Sequence, residues 1–236
     1  MDGNGVDVVV VSPARVHPDN RYITNLAAGS AGRLRAVVYI DTQVPDAHRT
    51  VAGLAAAGAS GLRANLIGRG SRGLGEDDRL DPLIDAAAAS DLVIQWTLRV
   101  PDPSMAMIAR AATRAPGIRQ VLDHLGLPVD PGDPESMNGM RDLADVPGLH
   151  VKLSGMYALT RERYPYQDVW PWMEGVLAAF GAARTMWASD WPLSGESDSY
   201  ARQLALIDRL PFLDAAARRD VLGASANRFW RLPADL

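Results

Sequence analysis

Short runs of β-branched and other apolar residues recur along the chain, each followed by a Gly-, Pro- or Asp-rich turn and then by an Ala-rich stretch at helical spacing. The runs predict strands over Val6–Val11, Leu34–Ile40, Gly61–Asn65, Leu92–Trp96, Gln120–Asp123, His150–Ser154 and Thr185–Ser189. Between them the spacing predicts helices over Asp19–Ala28, Asp46–Ala57, Asp78–Ser90, Pro103–Arg114, Glu135–Leu143 and Tyr166–Phe180, with Tyr200–Leu210 and Ala215–Trp230 after the last strand. Asp102-Pro103 and Pro134-Glu135 suit a proline in the first helical turn, and Gly58 and Gly181 suit helix stops.

Strands that alternate with helices pair in parallel through right-handed crossovers, which leaves a doubly wound sheet or a (β/α) barrel. The strand ends fall near residues 11, 40, 65, 96, 124, 154 and 190. That steady repeat of about 30 residues leaves no room for an inserted domain and favours the barrel, because a doubly wound sheet changes connection where its strand order reverses. The expected fold is therefore α/β, a TIM-type (β/α)8 barrel in a single domain, 1–236. Its seven parallel strands are one fewer than the usual eight.

Composition narrows the chemistry. The chain has 236 residues, 47% hydrophobic and 22% charged, with a net charge of −4. That is enough apolar residue for a core and too much for a disordered chain. Arginine is scattered and forms no basic block, so neither nucleic acid nor an anionic membrane is an expected partner. With no Cys, disulfides, thiolate nucleophiles and iron–sulfur clusters are excluded, and any metal would need His and carboxylate ligands. Only His17, His48, His124 and His150 are present. The first residues lack the charged and apolar regions of a signal peptide, and no apolar run reaches the roughly 18 residues of a membrane span, so a cytoplasmic location is expected. Lys152 is the single lysine, so every lysine-dependent chemistry must run through it.

Polar residues gather at the C-terminal ends of the predicted strands, where barrels and open α/β sheets both place their sites. They are Ser12, Arg63 and Asn65, Gln95, Asp123-His124, Lys152 and Ser154, and Ser189-Asp190. Strand alternation turns Lys152 and Ser154 to the face opposite Val151 and Leu153, and Arg63 and Asn65 to the face opposite Leu62 and Ala64. An inward-facing charge is costly unless paired, so Arg63 and Lys152 should meet carboxylates, either Asp190 or a bound ligand. Each residue alone also has a plainer reading: His124 as a packed strand-end histidine, Asp190 as a helix cap, Lys152 as a salt-bridged core lysine. What argues for a site is that the residues recur at equivalent strand positions in different repeats.

Two other motifs are set aside. Gly68-Arg69-Gly70-Ser71-Arg72-Gly73 has the spacing of a dinucleotide loop, but Glu76, Asp77 and Asp78 follow where a pyrophosphate needs positive potential. In His17-Pro18-Asp19-Asn20, Asp19 serves equally well as a helix N-cap.

Three strings, Val121-Leu122-Asp123-His124-Leu125-Gly126-Leu127-Pro128, Val151-Lys152-Leu153-Ser154-Gly155 and Ala188-Ser189-Asp190-Trp191-Pro192, together resemble the amidohydrolase-related (amidohydrolase 2) TIM-barrel hydrolases. Within them the chain is most similar to the branch of the 2-pyrone-4,6-dicarboxylate and sugar-acid lactonases. Gly61-Leu62-Arg63-Ala64-Asn65 and Ala226-Asn227-Arg228-Phe229 extend the resemblance almost from end to end. The resemblance implies hydrolysis of a lactone or similar cyclic ester of a small, carboxylated metabolite. Asp190 would be the general base toward water, His124 would polarise the substrate carbonyl and Arg63 would hold a carboxylate. Asn65, Gln95, Lys152, Ser154 and Tyr157 would contact substrate, and no metal or other cofactor is expected.

The chain departs from the family in lacking a first strand that ends in His-x-His. A misassigned start codon is the first expected explanation and a shortened protein the second. A barrel made as written would carry an open seam between its second and eighth strands, which invites homo-oligomers. The alternatives are an impaired barrel that only binds, a metal-dependent decarboxylase, or a Schiff-base aldolase built on Lys152.

Overall fold

A computed structural model of the chain describes residues 1, 3, 5–12, 19–42, 44, 46–67, 78, 80–196 and 199–232. His17 and the glycine-rich stretch 68–73 lie outside the described residues. Every predicted apolar run contains a strand: β1 (Val9–Val11), β2 (Leu34–Ile40), β3 (Ala59–Asn65), β4 (Val93–Thr97), β5 (Gln120–Leu122), β6 (Leu149–Leu153) and β7 (Thr185–Trp187). They form one sheet whose order follows the chain from β1 to β7. The pairs β1–β2, β2–β3, β3–β4 and β6–β7 are parallel. An order that never reverses is that of the barrel class rather than of a doubly wound sheet.

Helices fall within the segments the spacing predicts, α1 (Arg21–Ala28), α2 (Val51–Ala56), α3 (Asp81–Ala89), α4 (Ala106–Arg114) and α5 (Pro134–Ala144), then, after a short helix α6 (Met156–Leu159) that the spacing did not predict, α7 (Trp170–Phe180), α8 (Tyr200–Arg209), α9 (Ala215–Arg219) and α10 (Ser225–Trp230). Three boundaries differ instructively. The strand expected from Val6 starts at Val9, because Gly5, at φ +61°, turns the chain and Val6 N–H bonds back to the Met1 carbonyl. The strands expected to reach Asp123 and Ser189 stop at Leu122 and Trp187, ahead of left-handed backbone at His124 and Asp190. The single helix expected over Ala215–Trp230 contains a π-helical turn, Asp220–Ala224, between α9 and α10.

The chain divides into two compact units, residues 1–97 with 103–121, and residues 98–102 with 122–232. In the first, the helix-facing side of the sheet buries Val38, Leu62, Ile94 and Trp96. The Trp96 indole donates to Gln120 Oε1 at 2.7 Å, so its polar edge is satisfied in the core. Gly61 is required by close approach, since a Cβ there would lie 2.9 Å from the Val93 carbonyl oxygen. Helices α3 and α4 are joined by a carboxylate–guanidinium network: Asp81 takes both Arg110 and Arg114, and Arg114 also takes Asp85. Arg110 beside Asp81 holds that carboxyl below the usual carboxylate range.

In the second unit, α5 begins as its sequence predicts. Asp133 caps it by accepting from the Glu135 and Ser136 amides, and Pro134 takes the first turn. Val151, Leu153, Met173, Val176 and Phe180 pack the strands against α7, and Gly181 ends that helix. At the start of β6, His150 lies against the Phe229 ring at 4.5 Å, and burial pushes it down to about 4. No helix among the described residues is long and apolar enough to cross a membrane.

Candidate active site

The predicted site residues fall into two groups, one in each unit. In the first unit, strand register aligns Arg63 with Gln95 and Asn65 with Thr97. Arg63 Nε donates to Thr97 Oγ1 at 3.1 Å across that pair, while Gln95 and Thr97 are buried. Alternation therefore turns Arg63, Gln95 and Thr97 to the face opposite Trp96, as expected from the pattern. Asn65 closes its strand end, its Oδ1 accepting from the Ile67 amide at 3.0 Å.

In the second unit, the ends of β5, β6 and β7 converge on an imidazole and a carboxylate. His124 Nε2 lies 3.9 Å from Asp190 Oδ1. Both side chains are largely shielded, at 12% and 18% exposure, yet neither is sealed from solvent. The other ring nitrogen, Nδ1, is 2.9 Å from Ser154 Oγ, and Ser154 is fully buried. The other carboxylate oxygen, Asp190 Oδ2, accepts from the Tyr157 hydroxyl at 2.5 Å. Each of the two reactive groups is thus held on its outer atom, and their inner atoms face each other.

Local backbone explains how they meet. His124 has φ +52° and Asp190 φ +54°, both in the left-handed region that non-glycine residues seldom adopt. The chain leaves its strand and turns at His124 and at Asp190, so each side chain projects from the strand end. Such conformations cost about 1–3 kcal/mol each and persist where the surrounding packing over-determines them. That packing is present beneath His124: Leu125 is fully buried, its carbonyl accepts from the Trp172 indole at 3.2 Å, and Gly126 leaves no room for a Cβ against Val100 and Met140.

Lys152 meets a carboxylate, as its inward direction demanded, but not the expected one. Its ammonium is 3.1 Å from Asp123 Oδ1, and both side chains are buried, so the carboxylate it meets is the residue just before His124 rather than Asp190. Lys152 lies within β6, and Asp123 sits on extended backbone directly after β5. Gly155 is a site residue that the strand-end pattern did not single out. It has φ +73°, and a Cβ on it would lie 2.8 Å from His124 Cβ and 3.1 Å from Nδ1. Its only signal in the sequence is a glycine directly after a polar strand end.

A chain-ordered sheet with helical crossovers, and an imidazole beside a carboxylate at its strand ends, defines an α/β protein of the barrel class. The chain belongs to the amidohydrolase family, whose model matches residues 1–232. It is 33% identical over 235 residues to an L-fucono-1,5-lactonase of Burkholderia ambifaria, covering 95% of this chain and 79% of that protein. It is 28% identical to a D-galactarolactone isomerase of Agrobacterium fabrum, covering 98% of this chain and 79% of that one. Among solved structures, an amidohydrolase from Burkholderia multivorans with bound zinc matches with a TM-score of 0.83 at 24% identity, over 99% of this chain and 86% of the other. That last likeness is one of fold.

Whether this chain's own residues suit a zinc ion follows from the donors. A catalytic zinc takes three protein ligands. Among the described residues no three His, Asp or Glu side chains gather. His124 and Asp190 offer two donors, and Asp123 is paired with Lys152. The described residues do not make up a zinc ligand set.

Proposed function

We propose that the protein is a lactone hydrolase in which Asp190 is the general base and His124 the group that polarises the carbonyl. The observation that carries the reading is the 3.9 Å approach of His124 Nε2 to Asp190 Oδ1, with the outer atom of each held by Ser154 and Tyr157. That spacing is too long for a direct hydrogen bond and short enough for both groups to bond to oxygens of one reacting carbon. With Ser154 donating to Nδ1, Nε2 carries the proton and donates to the carbonyl oxygen.

The reaction then balances as follows. Asp190 Oδ1 takes a proton from water as the water oxygen bonds to the lactone carbonyl carbon. The carbonyl π pair moves to oxygen, where His124 Nε2–H stabilises it. Collapse restores the C=O and breaks the ring C–O bond, and the departing alkoxide takes the proton held by Asp190. The product is a hydroxy acid. No step is assigned to a metal, in keeping with the donors that gather among the described residues. Arg63 is proposed to bind a carboxylate of the substrate, with Gln95 and Asn65 as further contacts, on the strength of its inward position and fork of donors.

The test is a panel of sugar lactones and carboxylated lactones, assayed by acid release and by the identity of the product. A hydroxy acid is expected, formed at unchanged rate after dialysis against a chelator. Asp190→Asn should lower turnover about 1,000-fold and His124→Ala about 100-fold, within the range of general acid–base and electrostatic contributions. An isomeric lactone as product, or full turnover by Asp190→Asn, would overturn the reading.

A further inference from the structure

The four residues from Ser154 to Tyr157 touch both reactive groups. Ser154 Oγ lies 2.9 Å from His124 Nδ1. Gly155 supplies the space in which the His124 ring lies, since its missing Cβ would fall 2.8 Å from His124 Cβ. Tyr157 donates its hydroxyl to Asp190 Oδ2. Met156, between them, is fully buried. The segment is anchored at both ends. Leu153 pairs with Trp187 on β7, and Asp168 accepts from the Thr160 hydroxyl and from the Arg161 amide at 2.7 Å just beyond α6. It therefore has the means to place the two groups relative to one another.

We infer that Ser154–Tyr157 is the positioning device of the reaction and that Tyr157 is a positioning residue acting through Asp190, not a substrate contact. This rests on the reading of Asp190 as base. A carboxylate rotates broadly and nearly two-fold about its last torsion. Asp190 sits on a left-handed backbone that leaves its orientation to its neighbours. By engaging Oδ2, Tyr157 selects the rotamer that aims Oδ1 at His124. Ser154 does the same for the imidazole: its contact at Nδ1 orients the ring, and with Asp190 Oδ1 facing Nε2 the proton belongs on Nε2 and Ser154 donates to Nδ1. A phenol hydroxyl has one proton to donate. While it is directed to Asp190, it is not a donor to substrate.

The experiment compares Tyr157→Phe with wild type in kinetics and crystal structure, because this change removes the hydroxyl and keeps the ring. The expected result is a kcat lowered about 10- to 100-fold with KM within about twofold, since a displacement of about 1 Å costs on the order of 100-fold in rate. The crystal structure should show the Asp190 carboxylate rotated from its wild-type orientation, with the fold and melting temperature unchanged. A raised KM with kcat intact would make Tyr157 a substrate contact and overturn the inference, as would an unmoved carboxylate. Nitrogen-15 spectra of His124 test the Ser154 half: Ser154→Ala should change the tautomer ratio, and an unchanged ratio would overturn that half. Neither the crystal structure nor the spectra need turnover. Full activity in Asp190→Asn would sink the base reading itself, a different failure from an unrotated carboxylate in Tyr157→Phe.

Discussion

The polar row on β3 and β4 and the acid–base cluster beyond β5, β6 and β7 are built by opposite means. Arg63, Gln95 and Thr97 lie inside regular strands, where register and alternation fix their direction. His124 and Asp190 lie just past strand ends, on left-handed backbone, and owe their direction to side-chain contacts from elsewhere in the chain. A group held by a strand keeps its place through the ladder that forms the sheet. A group on a strained turn keeps its place only while its neighbours hold it. On the proposed reading the contrast suits recognition in the first case and reaction in the second, where bond making demands closer tolerances.

The comparison can be broken first at Gly155. Gly155→Ala adds a Cβ against the His124 ring at a φ of +73°. It should lower kcat about 100-fold and destabilise the protein by about 1–3 kcal/mol, measured by steady-state kinetics and urea unfolding. Wild-type kcat in a folded Gly155→Ala protein would mean that the turn does not govern His124. A smaller, differently shaped effect is expected in the strand-held row. Arg63→Ala should raise KM for a carboxylated lactone about 10- to 100-fold with little change in kcat, and leave an uncharged sugar lactone nearly unaffected. A fall in kcat on both substrates would place Arg63 with the reacting groups and erase the distinction.

The smallest effect tests a residue outside both regions. Burial holds His150 at about 4, below the 6.5 of an exposed imidazole. The unfolded chain therefore binds more protons between these values, so stability contributed at neutral pH declines as the pH falls from about 6.5 toward 4. His150→Phe should flatten that part of the stability profile, read from urea midpoints across pH, without altering kcat at neutral pH. A slope identical to wild type would assign the acid sensitivity to other groups.

Much of this was legible in the residues. The alternation of Leu62, Arg63, Ala64 and Asn65 is a local, period-two signal, so it reported which face each side chain takes before any partner was known. The same held for Lys152, whose inward direction demanded a carboxylate. Which carboxylate was not legible, because Asp123 lies 29 positions earlier and nothing in either string marks the pairing. Strand ends at Asp123 and Ser189 were overestimated for a related reason. Apolar patterning continues up to the turn, while the left-handed residues that end each strand carry ordinary side chains.

By itself the sequence determined the order of strands and helices, the α/β class, the inward face of each strand, and the short list containing Asp190 and His124. These depend on periodicity and on chain order, which are local or one-dimensional properties. Only the tertiary structure decided that Tyr157 holds one oxygen of Asp190, that Ser154 and Gly155 seat the imidazole, and that Asp123 neutralises Lys152. Those choices are contacts between atoms on different strand ends, and their geometry exists only once the sheet and its turns are formed.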